Sequence, residues 1–310
     1  MSDITEPVVA RDLLKRYGDL VAVDHVDLTV EPGDVFGYLG PNGAGKTTSL
    51  RMLLGLIRPT GGSIELFGRD PLRDGARALD GVAGFVEAPC FYPYLSGRRN
   101  LRLLADYDEP RTRAQVDEVL ELVELRDRGD DRVGGYSHGM KQRLGIAASL
   151  LRRPRLLLLD EPTTGLDPAG MRDMRRLVRR LSGEGITVLL SSHLLAEVEE
   201  LCNRVAIIRR GRIVYEGALT ELKEQAGRTW RLRATDLDRA RTIMLANGVT
   251  EPSTVDGELH FASSEEAVAA LTIALGQARI GITALNAQAA TLEDMFLELT
   301  EHDEPVEAAA

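Results

Sequence analysis

The sequence is poor in several features that would point to other classes of protein. Its 310 residues include two cysteines, Cys90 and Cys202, which form neither a disulfide framework nor a metal-ligand spacing and fit a reducing compartment. No stretch approaches the roughly 18 consecutive apolar residues that a membrane-spanning helix needs. The polar, acidic first residues also lack the pattern of a secretory signal. We therefore expect any membrane role to come through a partner.

The sequence also lacks an excess of basic residues. Lysine and arginine total 38 against 48 aspartates and glutamates, which gives a formal net charge of −10. Domains that bind nucleic acid usually carry a basic face, so we expect no nucleic-acid partner. Hydrophobic residues make up 44% of the chain, enough for a sizeable core in one large domain or two unequal ones.

Residues 1–222 alternate apolar strands with helical patterns, which predicts an α/β domain. Buried parallel strands are predicted at Val35–Leu39, Leu156–Leu159, Thr187–Leu190 and Val205–Ile208. Shorter strands at Val21–Val30 and Ser63–Phe67 suggest an antiparallel portion, and the mostly helical stretch of about 92–151 suggests an inserted lobe. Ligands of open α/β sheets bind at the carboxyl edge of the strands, so the loops after the parallel strands are the place to look for chemistry.

A smaller α+β domain is predicted at residues 228–300. Its elements follow a βαββαβα order, with a closing helix at Leu292–Leu299, and Asp256-Gly257 between two strands is a hairpin signal. This order resembles a ferredoxin-like unit. We interpret it as a regulatory or dimerising domain, because its strands offer only Trp230 and Phe261 and lack the basic-aromatic motif of RNA-binding sheets. Residues 301–310 are predicted to be a disordered tail.

The most specific motif is a glycine-rich loop that follows a strand and opens a helix. It matches G-x-x-x-x-G-K-[ST] through Gly40, Pro41, Asn42, Gly43, Ala44, Gly45, Lys46 and Thr47. Glycines let backbone N–H groups face phosphate oxygens at the start of a helix. We expect Lys46 to bridge the β- and γ-phosphates of a nucleotide, Thr47 to hold Mg²⁺ and Thr48 to reach an inner phosphate.

A second motif, Asp160-Glu161, ends the predicted strand Leu156–Leu159. Two acids at this place put Asp160 near Mg²⁺, commonly through water, and let Glu161 accept a proton from the attacking water or orient it. The alternative is a pair of acids that end a strand for solubility alone.

With these motifs together, residues 1–220 resemble the nucleotide-binding subunit of an ABC transporter, a P-loop NTPase with a mixed sheet, an antiparallel β subdomain and a helical subdomain. The further matching positions, in family order, are Tyr17 as the adenine-stacking aromatic, Ser137-His138-Gly139-Met140 as the signature, Gly165-Leu166-Asp167 as the D-loop and His193 as the switch histidine. If these residues were not in family order, we would interpret Tyr17 as an ordinary strand residue and His193 as a capping or hydrogen-bonded histidine in a loop.

The resemblance implies an ATPase that uses ATP and Mg²⁺ and works as a head-to-tail homodimer. Each ATP would touch one subunit's phosphate loop and the other subunit's signature, and loss of the γ-phosphate would open the dimer. It also implies a separate membrane permease, which would place the chain peripherally at the cytoplasmic face of the cell membrane.

The segment Glu87–Leu95 is expected to meet that permease. The family has a glutamine where Glu87 stands, a residue that touches Mg²⁺ or the nucleophilic water, and the loop after it receives a coupling helix. Glu87, the aromatic loop and the YSxGMKQR signature are similar to drug- and bacitracin-resistance exporters. Thr291–Thr300 is similar to the C-terminal helix of daunorubicin-resistance ATPases. Alternatively, four apolar residues of this segment belong to the core of the helical lobe, namely Phe91, Tyr92, Tyr94 and Leu95.

Two signature positions depart from the family, since His138 and Met140 stand where the consensus has glycine and glutamine. His138 is either a tolerated substitution or a group that contacts phosphate or the facing subunit and makes turnover pH-sensitive near neutrality.

The function predicted from the resemblance is an ATPase that powers the export of drug, antibiotic or lipid-like compounds. Two functional alternatives stay open. One is a soluble ABC-type ATPase that acts on DNA or ribosomes, and the other is a regulatory ATP-binding partner with little turnover.

Overall fold

The computed structural model describes residues 5–107, 114–225, 228–250, 252–255, 257–289 and 295–296. By its contacts the chain divides into two compact units, Met1–Ala218 and Leu219–Ala310. The predicted tail, the turn residue Asp256 and most of the helix predicted at Leu292–Leu299 lie outside the described residues. Among the residues that are described, no helix has both the length and the apolar character needed to cross a bilayer.

The first unit contains two sheets and six described α-helices. Its strands are β1 Val8–Tyr17, β2 Leu20–Val30, β3 Val35–Leu39, β4 Gly61–Leu66, β5 Val82–Phe85, β6 Leu156–Asp160, β7 Thr187–Ser192, β8 Arg204–Arg209 and β9 Arg212–Ala218. Its helices are α1 Lys46–Leu53, α2 Gly97–Ala105, α3 Val116–Leu122, α4 His138–Leu150, α5 Pro168–Gly183 and α6 Leu195–Leu201.

A six-stranded sheet in the order β5-β6-β7-β3-β8-β9 forms the centre of this unit. Its first five strands run parallel and β9 pairs antiparallel with β8. β3, β6 and β7 are buried along their whole length, which explains why their sequences are nearly continuous apolar runs. Because β6, β7 and β3 are neighbours, the loops that follow them meet at one edge of the sheet.

A second, antiparallel sheet has the order β2-β1-β4. The strands predicted at Val21–Val30 and Ser63–Phe67 are present, but the central strand, Val8–Tyr17, was not identified from the sequence. Its register shifts three times against β2, and Asp12 adopts a φ of 52°. These irregularities interrupt the alternation of apolar and polar residues by which a strand is recognised.

Helix α5 shows how local sequence sets the helices that cover the sheet. Asp167 accepts a hydrogen bond from the N–H of Gly170 at 2.8 Å and Pro168 occupies the first turn, a strong start signal. The residues at helical spacing on its inner face are buried, namely Met174, Leu177, Val178 and Leu181. Burial of each such side chain stabilises the fold by about 1.5–3 kcal/mol.

The second unit is a four-stranded antiparallel sheet in the order β11-β12-β10-β13, with two helices packed on its apolar side. Its elements are α7 Leu219–Gln225, β10 Arg228–Ala234, α8 Leu237–Ala246, β11 Ser253–Val255, β12 Glu258–Ala262, α9 Glu265–Gln277 and β13 Ile282–Ala289. The sheet order is the ferredoxin-like one, so the predicted fold class is confirmed. Phe261 is buried in this unit's core and Trp230 packs against the core, so these two residues do not form an exposed aromatic pair of the kind that stacks RNA bases.

Candidate active site

Three loops from adjacent strands meet at the carboxyl edge of the six-stranded sheet. The glycine-rich loop follows β3, Asp160-Glu161 ends β6, and His193 follows β7. Asp160 lies opposite Ser191 in the β6–β7 pairing, and Leu39 lies opposite Ser192 in the β3–β7 pairing. Sheet order therefore brings together residues that are more than a hundred positions apart in sequence.

The glycine-rich loop ends in a glycine that no other residue could replace without movement. Gly45 has a φ of 109°, and a Cβ on it would lie 2.4 Å from the carbonyl oxygen of Ala22. Gly45 is also the N-cap of α1, which has no side-chain cap and no acidic residue in its first turn. The first N–H groups of α1, and the positive end of its dipole, are thus available to an anion.

The remaining loop residues differ in exposure. Pro41, Asn42 and Gly43 form the exposed rim of the loop, whereas Ala44 is buried beneath it. Thr48 is partly buried in the first turn of α1.

Lys46 is the best-anchored side chain of the site, with 5% of its surface exposed. Its Nζ donates to the carbonyl oxygens of Gly40 and Pro41, at 2.6 and 3.2 Å, and lies 3.2 Å from Glu161 Oε1. Three partners match the three N–H donors of an ammonium group. A phosphate oxygen can be bound by Lys46 only if it replaces one of these partners.

Thr47 and Asp160 form a pair suited to Mg²⁺. Thr47 Oγ1 donates to Asp160 Oδ2 at 2.9 Å, and Ser191 Oγ donates to Asp160 Oδ1 at 2.5 Å. A hydroxyl and a carboxylate offer the hard oxygen ligands that Mg²⁺ prefers, commonly with water completing its shell. The residues present at this place therefore fit the ion.

Glu161 lies at the centre of the site. Its backbone has a φ of 46°, in the left-handed region, and its N–H donates to Ser191 Oγ at 2.9 Å. Its Oε2 accepts a hydrogen bond from Thr164 Oγ1 at 2.8 Å and lies 3.0 Å from His193 Nδ1. Strained backbone held by several partners is a feature of functional sites.

The neighbours of Glu161 set its protonation state. Burial raises the pKa of this carboxyl, but the hydrogen bond from Thr164 and the charges of Lys46 and His193 outweigh burial and hold the pKa below its ordinary value of 4.5. Glu161 is therefore ionised near neutrality and can accept a proton. Transfer of Lys46 from Glu161 to a phosphate would remove one of the groups that lower this pKa and make the carboxylate a stronger base.

The segment Ser137–Met140 begins helix α4. Ser137 Oγ accepts a hydrogen bond from the N–H of Met140 at 3.3 Å and so caps the helix. Met140 is partly buried, while nearly every residue from Leu144 to Leu150 is buried. This part of α4 is therefore covered on more than one face.

His138 contacts its own subunit. Its Nε2 lies 3.0 Å from the carbonyl oxygen of Thr164. A carbonyl only accepts, so Nε2 carries the proton, and Nδ1 of the neutral ring is then an acceptor that would repel a phosphate oxygen. Beside it, a Cβ on Gly139 would lie 3.5 Å from Leu166, and one on Gly165 would lie 3.4 Å from His138.

Comparison with known proteins gives the chain a family. The ABC transporter family model matches residues 23–164. Bacitracin transport ATP-binding protein BcrA of Bacillus licheniformis is 45% identical over 234 residues, 75% of this chain and 76% of that protein. The chain belongs to the ABC transporter ATP-binding proteins. This ABC ATPase therefore hydrolyses ATP to ADP and phosphate as a subunit of a transporter.

One further relative and one solved structure support this assignment. Daunorubicin resistance ATP-binding protein DrrA3 of Streptomyces coeruleorubidus is 40% identical over 309 residues, 96% of each chain. A solved structure described as the ATP binding subunit of an ABC transporter is 29% identical, covers 71% of this chain and 92% of its own, and has a TM-score of 0.62. The predicted similarity to daunorubicin- and bacitracin-resistance ATPases is thus confirmed.

Two predicted site residues of this ABC ATPase have other partners. Tyr17 is 48% exposed at the end of β1, with Lys15 Nζ 4.8 Å from its ring centre. Glu87 pairs with Arg51 at the end of α1, and among the described residues no hydrogen bond or ion pair joins Glu87 to Thr47 or Asp160. The roles predicted for Tyr17 and Glu87 stay predictions.

Several contacts of the site were not predicted from sequence. Ser191 joins Asp160 to the backbone of Glu161, Thr164 donates to the Glu161 carboxylate, and Arg51 neutralises Glu87. The available signal was the pair Ser191-Ser192, polar residues that end a buried strand. That Ser191 contacts Asp160 follows only from the pairing of β7 with β6.

Proposed function

We propose that this ABC ATPase powers an exporter of drug-, antibiotic- or lipid-like compounds through a separate membrane permease. The observation that carries the proposal is the position of Glu161 beside the glycine-rich loop, with one carboxylate oxygen 3.2 Å from Lys46 and the other 3.0 Å from His193. The relatives named for bacitracin transport and daunorubicin resistance support export as its use.

In the proposed reaction, ATP lies with its phosphates along the glycine-rich loop and the N-terminus of α1. Lys46 exchanges Glu161 for a phosphate oxygen, and Glu161 then orients the attacking water and accepts its proton. His193, whose Nδ1 lies 3.0 Å from Glu161 Oε2, holds that carboxylate. Its other ring nitrogen can donate to the γ-phosphate when both nitrogens carry a proton. Tyr17 supplies an exposed ring on which adenine can stack.

Thr47 and Asp160 would hold Mg²⁺, with Glu87 joining them only after it leaves Arg51. An ion held by these residues would supply positive charge to offset that of the phosphate oxygens. The hydroxyl of Thr47 and the carboxylate of Asp160 already lie within hydrogen-bond distance, so little rearrangement of this pair is needed.

We propose a head-to-tail homodimer as the active unit. Ser137 and the first N–H groups of α4 supply a second anion-binding helix start, which faces the other subunit's ATP in such a dimer. A two-fold arrangement completes both sites at once. The D-loop consists of Gly165, Leu166 and Asp167, and it lies against the signature of its own subunit through Gly165 and Leu166. In the proposed dimer, the D-loop and the signature would together approach the ATP of the facing subunit.

The permease is proposed to dock on the segment Glu87–Leu95. Tyr92 and Tyr94 are 56% and 65% exposed, with ring centres 5.8 Å apart, while Phe91 and Leu95 are partly buried. A groove of about 320 Å³ beside this segment is lined by residues of β5, α2 and α4. Exposed aromatics next to a groove favour an interface over a place in the core of the helical lobe. Docking there would hold the chain at the cytoplasmic face of the membrane.

The exposed thiol of Cys90, inside this segment, allows a direct test. A maleimide should label Cys90 in the isolated chain, and labelling should slow at least severalfold when the chain is co-expressed and purified with the multi-span membrane protein of the adjacent reading frame. Unchanged labelling in a complex that survives purification would contradict this docking surface. Failure of any membrane protein to co-purify, with DNA or ribosomes recovered instead, would contradict the exporter.

A further inference from the structure

The carboxylate of Glu197 takes no part in the steps above, although it is among the most deeply buried charged groups of the first unit. It lies in the first turn of α6 with 2% of its surface exposed. Its Oε2 accepts a hydrogen bond from Thr163 Oγ1 at 2.6 Å and another from Ser192 Oγ at 3.1 Å. A single oxygen atom therefore joins the ends of two different strand loops.

Both of its partners stand next to a residue of the active site. Thr163 is two residues after Glu161, in the turn closed by the hydrogen bond from Thr164 N to Glu161 O at 3.2 Å. Ser192 directly precedes His193, and its Oγ also accepts the N–H of Leu194 at 3.0 Å, which fixes the loop on both sides of the histidine. The 3.0 Å separation of Glu161 and His193 depends on how these two loops are placed.

The second oxygen of Glu197, Oε1, has no hydrogen-bond partner among the described residues. A buried carboxylate with an unsatisfied oxygen destabilises a fold relative to an apolar side chain of similar size. The start of α6 offsets part of that cost through its dipole, and this offset is the competing, purely structural explanation. A structural role alone does not require the acceptor to lie between these two loops.

We propose that Glu197 is a positioning residue for ATP hydrolysis, which fixes the turn of Glu161 and the loop of His193 in one geometry. The inference rests on the proposed roles of Glu161 and His193. Loss of the shared acceptor lets the two loops separate, so water is oriented less well. Among the described residues no hydrogen bond or ion pair joins Glu197 to the phosphate loop, and the backbone bond from Gly40 N to Ser192 O does not involve the Glu197 side chain, so nucleotide should bind much as before. A misplacement of about 1 Å at a reacting group can lower a rate by roughly a hundredfold.

The test compares variants of the full-length chain in steady-state Mg-ATP hydrolysis and thermal unfolding, at a temperature where every variant is folded. Glu197→Leu, which removes the acceptor, should lower kcat roughly tenfold or more with KM changed less than about twofold. Glu197→Gln can still accept both hydroxyls through its amide oxygen and should recover most of the lost rate. Thr163→Val should also lower kcat. The double variant Thr163→Val/Glu197→Leu should have a kcat only slightly below that of Glu197→Leu.

Asp34→Leu is the matched control for removal of a buried acid. Asp34 accepts from the N–H of Glu31 and from Asn203 at the opposite end of β3, so its loss should lower the melting temperature without a selective change in kcat. The inference is overturned if Glu197→Leu keeps the wild-type kcat, or if its loss follows melting temperature as in Asp34→Leu. Should Glu197→Leu not fold, Thr163→Val decides by the same criteria. Full activity of Glu161→Gln in the same assay would contradict the proposed site itself.

Discussion

Substitution of Gly45 by alanine probes the phosphate loop most sharply. A Cβ there would lie 2.4 Å from the carbonyl oxygen of Ala22, whereas ordinary contacts begin near 3.4 Å, so one of the two backbones must move by about 1 Å. The φ of 109° adds strain of about 1–3 kcal/mol for a non-glycine residue. The steric clash and the backbone strain both act at Gly45, which directly precedes the first N–H groups of α1.

The expected result is a selective loss of nucleotide affinity. Displacement of even one N–H from a charged phosphate oxygen removes about 1.5–3 kcal/mol, which raises the Kd for Mg-ATP roughly tenfold or more. Equilibrium titration with a fluorescent ATP analogue measures Kd, and thermal unfolding without nucleotide measures the cost to the fold.

Gly185→Ala is the matched control. Gly185 has a φ of 90° and no atom within 4 Å of a Cβ position, so alanine there carries backbone strain without a contact and lies away from the loop. We expect a lower melting temperature with an unchanged Kd. The reasoning is refuted if Gly45→Ala binds Mg-ATP within about twofold of wild type, or if both variants weaken binding equally.

Three further outcomes are expected. His138→Gly removes the contact with the carbonyl oxygen of Thr164 and should lower kcat if this imidazole takes part in turnover; an unchanged kcat would end that idea. Glu87→Gln breaks an exposed pair with Arg51 that is worth about 0.2–1 kcal/mol, so unfolding should barely change while the Mg²⁺ dependence of hydrolysis shifts; an unaltered dependence would contradict the role of Glu87. Burial raises the pKa of the Cys202 thiol, so titration should find one reactive thiol, Cys90, in the native chain and two after unfolding; two from the start would contradict the packing.

The parts of the fold that the sequence predicted are those with a local signal. The apolar runs around Phe36 and Leu158 are continuous because strands buried on both faces need no polar side, and the glycine-rich loop carries its own spacing. The ferredoxin-like order followed from the succession of strands and helices alone.

What the sequence could not provide are contacts that depend on strand order. Thr163 and Glu197 are 34 positions apart, and Arg51 and Glu87 are 36 apart. No periodicity links such pairs, and only the placement of β7 between β6 and β3 brings the loops of the first pair together. The shifts of β1 hid its pairing for a related reason, because a bulge changes which residues face inward.

The central claim is that Glu161 orients and deprotonates the water that attacks ATP. Gln at this position keeps the size and one acceptor of the side chain but cannot take a proton. The account predicts that Glu161→Gln binds Mg-ATP at least as tightly as wild type and loses about a hundredfold or more of kcat, within the range typical of a general base. Turnover by Glu161→Gln equal to that of wild type would contradict the account.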